Sequence, residues 1–210
     1  KVKCKSLHEH NEDKVSNEII EHIRNKKTIS IVSDAGTPAI SDPGYRLIRL
    51  CVDNDIQYTL IPGASSVINA LIMSGLPTDK FSFYGFIPRK INEQEKFIDN
   101  LKYDAKTAIF FESSKRIKNT INNLSKWIEP DRGISICKEM TKIHENVIRG
   151  NISNILENIY NNQINLKGEI VVVIEGLSTN KNKFRIDSKV KKEFLAKLPA
   201  RDAAKLIASI

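Results

Sequence analysis

Apolar residues recur along the chain with two alternating periods, one typical of helices and one typical of strands. Residues 13–24 place valine and isoleucine at helical spacing, and the β-branched run 28–32 then predicts a buried strand. A second helix is predicted to begin near residues 41–44, where a serine or aspartate can cap its first amides. Residues 58–61 predict another strand, followed by a helix over 67–73. This alternation is typical of a parallel sheet.

The pattern changes after a connection that contains glycine, proline and aspartate, and we place a domain boundary near residue 78. Beyond it, strands are predicted at 81–86, 107–111, 134–138 and 169–174, and helices at 93–101, 116–128 and 153–160. Two short helices, 188–198 and 200–210, are expected at the end of the chain. We therefore predict an α/β domain over 1–77, a second α/β domain over 78–178, and the start of a basic helical domain over 179–210.

Composition and charge add a partner class to this picture. The chain has 210 residues, 40% of them hydrophobic and 28% charged, which is typical of a globular protein with a buried core. Its net charge is +8, and residues 179–210 alone hold 9 basic and 3 acidic residues. A local basic excess attracts polyanions, so it favours a nucleic-acid partner. A solvated, lysine-rich surface is the alternative.

Several classes of protein are disfavoured. The longest apolar stretches, such as 170–174, fall far short of the roughly 20 residues that cross a bilayer, so we expect a soluble, cytoplasmic protein without a membrane partner. Cys4, Cys51 and Cys137 are widely spaced and suggest neither a disulfide framework nor a zinc site. The stretch His8–His10 carries possible ligands, but no third cluster accompanies it, and no metal is expected.

Two loops carry the strongest chemical signal. Residues 33–44 read SDAGTPAISDPG and residues 62–66 read PGASS, and each loop joins a predicted strand to a predicted helix. Small residues let the backbone approach a ligand, and ligands of open parallel sheets bind beyond the carboxyl ends of strands. We therefore expect the two loops to line one pocket. An ordinary tight turn is the alternative for each loop, and we favour it only for the shorter one. The longer loop lacks the spacing of a GxGxxG motif and of a P-loop.

A longer set of segments carries a family resemblance. In chain order they are HEHNE (8–12), SDAGTPAISDPG (33–44), PGASSVINALIMSGLPTDKFSFYGFIPRK (62–90), FFESSKRI (110–117), CKEMTKIHE (137–145), RG (149–150) and KGEIVVVIEG (167–176). They resemble the tetrapyrrole methylase superfamily, and within it the branch that 2′-O-methylates a cytidine of 16S ribosomal RNA. The first strand and TPIGNL-like glycine loop of that family have no counterpart here, and we expect the chain to stop inside the family's C-terminal helical domain.

The resemblance implies a fold, a cofactor and a reaction. The fold is a parallel sheet with helices, then a mixed-sheet α/β domain, then the start of a small helical domain, usually in a homodimer. S-adenosylmethionine is expected between the domains, and its methyl group is transferred to a ribose 2′-hydroxyl of small-subunit RNA. The family's cofactor segments carry over onto Asp34, Ala35, Gly36, Thr37, Pro38, Ala39, Ile40, Ser65, Ser66, Phe111 and Glu112.

The candidates for RNA binding and proton transfer are less sharply defined. Cations near predicted loops are Arg89, Lys90, Lys115, Arg116, Lys138 and Arg149, with Lys189, Lys191, Lys192 and Arg201 in the tail. The alternating aromatics of residues 81–86 offer a stacking surface, although a core strand explains Phe81 and Phe83 as well. Possible general bases are Asp34, Glu112, Glu139 and Glu145, which the sequence does not rank, and helix capping or ion pairing is the alternative for each.

Two other functions stay open at this stage. A porphyrin or corrin methyltransferase would keep the same fold and cofactor, as other branches of the superfamily do, but the basic tail argues against it. A non-catalytic RNA-binding protein that kept the fold is the third possibility. Methyl transfer itself demands mainly alignment of two groups, so no protein nucleophile is required.

Overall fold

The computed structural model describes residues 4–33, 36–178, 195–199 and 201–202. The chain forms two compact units, Lys1–Gly176 and Leu177–Ile210. Most of the second unit, including the greater part of the two predicted tail helices and Lys189, Lys191 and Lys192, lies outside the described residues. The three-domain division with a boundary near residue 78 stays a prediction.

A five-stranded mixed sheet forms the centre of the first unit. Its strands are β1 (Phe81–Phe86), β2 (Thr107–Ser113), β3 (Gly133–Lys138), β4 (Asn146–Asn151) and β5 (Glu169–Ile174). They lie in the order β1-β2-β5-β3-β4. Strands β1 and β2 are parallel, whereas β5 runs antiparallel to both β2 and β3, and β3 pairs antiparallel with β4. The expectation of a mixed sheet in this part of the chain is confirmed.

Six helices surround the sheet or pack on each other. They are α1 (Glu12–Arg24), α2 (Tyr45–Asp53), α3 (Ser66–Ser74), α4 (Ile91–Tyr103), α5 (Ile117–Trp127) and α6 (Ile152–Tyr160). All six were predicted from the helical spacing of apolar residues, with ends that differ by a few residues. Gly75 ends α3 in the left-handed conformation that glycine adopts without steric cost.

Alternation along the central strands separates two apolar layers. In β2, Ala108 and Phe110 face the layer formed with α4, α5 and α6, whereas Ile109 and Phe111 face the layer formed with α3. Strand β5 divides in the same way, so both faces of the central strands are covered. A third, smaller cluster joins α1 to α2 through Ile20, Leu47 and Cys51.

The strands predicted at residues 28–32 and 58–61 are wrong. Neither segment pairs with another strand within the described residues, and both expose apolar side chains, with Val32 85% and Ile61 84% exposed. A β-branched run indicates side chains that are suited to a buried strand. A strand also needs a neighbouring strand whose backbone can accept and donate hydrogen bonds. The predicted parallel sheet of residues 1–77 therefore has no strand among the described residues of that range.

Strand β4 was not predicted. Its sequence, NVIRGN, is polar and its residues are exposed or half-buried, because it is an edge strand with one neighbour. Edge strands need little apolar surface, so periodicity does not reveal them. Among the described residues, no helix combines the length and the apolar character that a bilayer crossing requires.

Candidate functional site

A cavity of about 550 Å³ lies where β1, β2 and β3 end, on the face of the sheet that α3 covers. Its walls come from the segment 31–43, the start of α3, the end of β2 with the turn after it, and the start of β5. Leu7, Phe86 and Met140 complete the lining. The volume falls in the range of about 300–1,000 Å³ that is typical of small-molecule sites.

The two loops singled out in the sequence meet at this cavity. The Thr37 hydroxyl donates a hydrogen bond of 3.3 Å to the carbonyl oxygen of Ala64. A Cβ placed on Gly36 would lie 3.8 Å from the backbone nitrogen of Ser66. The loops therefore lie against each other and share one hollow, as expected, although the strands that were predicted to precede them are absent.

The predicted cofactor residues divide into three groups. Those that line the cavity are Thr37, Pro38, Ile40, Ser65, Ser66, Phe111 and Glu112. Gly36 and Ala39 belong to the same loop but are outside the lining, and Asp34 and Ala35 lie outside the described residues. Their role in cofactor binding stays a prediction.

Unusual backbone conformations flank the cavity on two sides. Ala39 and Ser41 have φ values of 67° and 59° on one side, and Glu139 and Thr141 have 52° and 69° on the other. Left-handed conformations cost non-glycine residues roughly 1–2 kcal/mol each. Such conformations persist where surrounding contacts fix them, and they cluster at functional sites.

Glu12 supplies the contacts that fix the longer loop to α2. Its carboxylate is buried and accepts hydrogen bonds from the backbone amides of Gly44, at 2.8 Å, and Arg46, at 3.1 Å. These amides open α2, so a side chain from α1 caps this helix. A carboxylate here also interacts favourably with the helix dipole. No local pattern indicates this role, because Gly44 lies 32 positions after Glu12 in the chain.

Glu112 lines the cavity but is tied into the fold. Its carboxylate accepts hydrogen bonds from the Ser113 amide, at 2.7 Å, and the Thr120 hydroxyl, at 2.6 Å. It also pairs with Arg116 at 3.3 Å, and its side chain is fully buried. A carboxylate held in this way positions the turn after β2 rather than presenting a lone pair to a substrate.

Glu139 has a comparable structural role at the other wall. Its carboxylate accepts a hydrogen bond of 2.7 Å from the Glu169 amide and pairs with Lys142 at 3.3 Å. The Glu169 amide is the main reason that the pKa of Glu139 lies below its ordinary value, and Lys142 adds to the effect. The Lys142 ammonium also pairs with Glu169 at 2.9 Å, which raises the pKa of Lys142. Glu145 accepts a hydrogen bond from the Thr141 amide at 2.9 Å.

The predicted RNA-binding cations are in different environments. Arg149 donates to the Met73 carbonyl from Nε, at 2.8 Å, and from Nη2. Lys138 donates to the Asn165 carbonyl, and Lys90 pairs with Glu93, both at 3.2 Å. Arg116 donates to two backbone carbonyls near the end of β1.

Arg89 and Lys115 differ from the other cations. Both are exposed, and neither makes an ion pair or hydrogen bond within the described part of the chain. Each adjoins a cavity wall, since Lys115 follows Ser114 and Arg89 follows the end of β1 by a short turn. These two cations are therefore the most available to an anionic ligand.

Some lining residues were not predicted. Met140, Gly168 and Glu169 belong to the matched segments CKEMTKIHE and KGEIVVVIEG, so the resemblance contained the signal that places them here. Burial raises the pKa of the Cys137 thiol to about 12, which makes it a packing residue. No group of three possible metal ligands occurs within the described residues, and His8 and His10 are exposed.

Comparison with known proteins gives a consistent result. Residues 1–156 match the family Tetrapyrrole (Corrin/Porphyrin) Methylases. The chain is 35% identical, over 98% of its length, to "Ribosomal RNA small subunit methyltransferase I" of Haemophilus influenzae. Proteins of the same name from Mycobacterium tuberculosis and a Hydrogenobaculum species are 37% and 44% identical over 91% and 77% of the chain. The chain spans 74%, 66% and 69% of the lengths of these three relatives.

Solved structures show the same fold at low sequence identity. The cobalt precorrin-4 methyltransferase CbiF superposes with a TM-score of 0.58 at 15% identity, covering 83% of this chain and 73% of that one. A diphthine synthase gives 0.55 at 14%, with coverages of 80% and 68%. Uroporphyrin-III C-methyltransferase from Thermus thermophilus, complexed with S-adenosyl homocysteine, gives 0.51 at 11%, with coverages of 78% and 72%.

Replacement of Glu12 by alanine should destabilise the protein. The buried Gly44 amide and the part-buried Arg46 amide would lose their acceptor, which costs about 1–3 kcal/mol of unfolding free energy in urea titrations. Glu12→Gln keeps one acceptor oxygen and should lose less. Asp13→Asn is the matched control, because Asp13 is 76% exposed and solvent screens its ion pair with Arg46, so little stability should be lost. Equal losses for Glu12→Ala and Asp13→Asn would contradict the capping role.

Glu139→Gln should change how stability depends on pH. A lowered pKa means that the charged carboxylate stabilises the fold above the unfolded-state pKa, and that this contribution is lost as the pH falls through the folded-state pKa. The difference in unfolding free energy between wild type and Glu139→Gln should therefore be constant from pH 7 to about 5 and shrink below about 4.5. Urea titrations at several pH values measure it, with Glu157→Gln on the exposed side of α6 as control. If the difference in unfolding free energy does not shrink below about pH 4.5, the charged Glu139 carboxylate does not stabilise the fold.

Proposed function

Because the chain belongs to the tetrapyrrole (corrin/porphyrin) methylase family, we propose that it is an S-adenosylmethionine-dependent methyltransferase that modifies the ribose 2′-hydroxyl of a cytidine in 16S ribosomal RNA. The observation that carries the proposal is the cavity formed where the loops at 36–44 and 62–66 meet. The substrate rests on relatives that are 35–44% identical and are named for methylation of small-subunit ribosomal RNA.

The lining of the cavity fits the proposed cofactor. The hydroxyls of Thr37, Ser65 and Ser66 can hydrogen-bond to its ribose, amino and carboxylate groups, and Phe111 and Met140 offer apolar surface to an adenine ring. When bound, the cofactor supplies a methyl group on a sulfonium, so the protein needs no nucleophile of its own.

The contribution of the chain is then mainly alignment. Holding a hydroxyl and a methyl carbon at near-attack distance converts a bimolecular reaction into a unimolecular one, which is worth about 7–11 kcal/mol in favourable cases. The ends of β1 and β2 and the strained loop at 36–44 suit this task, since Arg116, Glu112 and Glu12 respectively hold them by hydrogen bonds. Glu112 and Glu139 hold these walls in place, so they act as positioning residues in this proposal.

The proposal includes a cytoplasmic homodimer acting on the small ribosomal subunit. The resemblance implies the dimer, and the outer face of α3 supports it, because Ile68 is 42% and Ile72 is 64% exposed. Apolar faces of this kind are typical of surfaces that pack against another chain. The exposed cations Arg89 and Lys115 support an anionic substrate.

Labelled methyl transfer tests the proposed reaction directly. Purified protein with S-adenosylmethionine should label small ribosomal subunits that lack this modification, and nuclease digestion should place the label on a 2′-O-methylcytidine. Uroporphyrinogen is the comparison substrate. Transfer to the macrocycle and none to RNA would overturn the choice of substrate, and cofactor binding without transfer to either would show a non-catalytic protein.

Filling the cavity should weaken cofactor binding. Ser66→Phe places a large ring in the hollow between the two loops, so the affinity for S-adenosylmethionine in calorimetry should fall by at least about tenfold, equivalent to about 1.4 kcal/mol. Ser153→Phe is the matched control, because Ser153 also lies in the first turn of a helix but is exposed on α6. Unchanged affinity in Ser66→Phe would remove this cavity from the proposal.

A further inference from the structure

Phe86 is an exposed aromatic side chain at the wall of the cavity. Phe86 is the last residue of β1 and is 60% exposed, whereas the central strands beside β1 bury their side chains in apolar layers. The Phe86 ring packs against the Phe111 ring in an edge-to-face arrangement, with the two ring centroids 5.4 Å apart. Phe86 also lines the cavity. The ring therefore contacts protein through Phe111 and still leaves most of its surface available to a ligand.

A β-bulge places the ring there. Phe83 pairs with Ile109 and Phe86 pairs with Phe111, so β1 has one more residue than β2 between these pairs. In a regular strand, Phe83 and Phe86 would point to opposite faces of the sheet. The extra residue turns both rings towards Phe111, on the face that holds the cavity. Bulges next to active sites commonly redirect a side chain in this way.

Gly85 makes the bulge possible. Its φ is 66°, in the left-handed region that favours glycine, and a Cβ there would lie 3.5 Å from the Ser41 hydroxyl. The strained loop at 36–44 thus lies directly over the bulge. The distortion of β1 and the distortion of the loop occur at the same place, which links the position of Phe86 to the architecture of the site.

The strand end that carries Phe86 is rigid. The Ile87 amide donates to the Phe111 carbonyl at 3.3 Å, and Ile87 is buried. Arg116 Nη2 donates to the carbonyls of Ile87 and Pro88 at 3.1 and 2.9 Å. A ring on a fixed backbone loses little entropy when a ligand stacks on it.

Positive charge accompanies the ring. Arg89 lies three residues after Phe86, and Lys115 lies on the turn that Arg116 ties to the same strand end. Both cations are exposed without a partner in the described part of the chain. An aromatic platform flanked by unpaired cations is the arrangement by which proteins hold single-stranded nucleic acid, with bases on the ring and phosphates on the cations.

From these observations we infer that Phe86 is a base-stacking subsite, on which the base of the target nucleotide or of its neighbour lies while Arg89 and Lys115 hold the adjacent phosphates. The inference rests on the proposed function, because it assigns the RNA to one named edge of the cavity. The cofactor then occupies the part of the cavity that the hydroxyls of Thr37, Ser65 and Ser66 line. The exposure of Phe86 fits the RNA better than the cofactor, since a small-molecule cofactor is usually more than about 70% enclosed.

Substitutions at Phe86 separate stacking from simple apolar packing. Phe86→Ala and Phe86→Leu should lower kcat/KM for unmodified small ribosomal subunits by about ten- to a hundredfold, the loss typical of one stacked base. Phe86→Tyr and Phe86→Trp keep a flat ring and should stay within about threefold of wild type. All four should bind S-adenosylhomocysteine with wild-type affinity. Tyr103→Ala is the matched control, because Tyr103 is 66% exposed at the end of α4, which packs on the opposite face of the sheet.

The two cations should act differently from the ring. Arg89→Gln and Lys115→Gln should each reduce the slope of log(kcat/KM) against log salt concentration by about one, because each removes one phosphate contact. Phe86→Ala should leave that slope unchanged, since stacking releases no counterions. A change of slope in Phe86→Ala would contradict the division of roles.

A binding experiment distinguishes failure of this inference from failure of the proposed function. With protein saturated by S-adenosylhomocysteine, Phe86→Ala should weaken binding of an oligocytidine decamer but not of an abasic decamer with the same phosphates. One outcome is that wild type transfers no methyl group and yet binds the oligocytidine decamer more tightly than the abasic decamer, with Phe86→Ala weakening only the former. In that case the proposed reaction fails and the subsite stands. Four outcomes would each overturn the subsite. Two concern activity and cofactor: Phe86→Leu is fully active, or Phe86→Ala loses affinity for S-adenosylhomocysteine. The other two are that light scattering shows altered self-association of Phe86→Ala, or that wild type binds both decamers equally.

Discussion

The architecture of the site depends on the interactions of one buried group, the carboxylate of Glu112. It joins the end of β2 to the first turns of α5 through the Ser113 amide and the Thr120 hydroxyl, and it neutralises Arg116. The same guanidinium nitrogen of Arg116 holds the end of β1 by its carbonyls. One charge pair therefore fixes both the turn that lines the cavity and the strand end that carries Phe86.

The opposite wall is built on a different principle. The loop at 36–44 has no ladder of strand hydrogen bonds, and two of its non-glycine residues adopt left-handed conformations. What holds it is the Glu12 carboxylate at one end and the contact of Thr37 with Ala64 at the other. A cavity between a rigid strand edge and a loop held at two points can keep its alignment while the loop adjusts to a ligand.

Sequence reasoning succeeded where local pattern and tertiary environment agree. The run in β5 is continuous and apolar because helices cover both faces of that strand, so periodicity and composition identified it. The run at 28–32 has similar composition and forms no strand, because pairing depends on a neighbour that composition does not report. The polar edge strand β4 was missed for the complementary reason.

The site shows the same division between local and distant causes. The two glycine- and serine-containing loops were recognisable because their chemistry is local. The Glu12 cap was not, since its two partner amides lie 32 and 34 residues away. Phe86 lies between these cases. An isolated glycine inside a strand pattern is a signal for a bulge, and a bulge reverses the side to which the next residues point. Alternation alone would have assigned Phe86 to the wrong face.

The fold by itself does not choose a substrate. Proteins with 11–15% identity and different names share it, so specificity must come from side chains around the cavity rather than from its backbone frame. This cavity opens beside the exposed ring of Phe86 and near Arg89 and Lys115, which have no partner among the described residues. This combination suits a ligand that presents a flat face and a charged backbone, which is the chemistry of a nucleotide in a single strand.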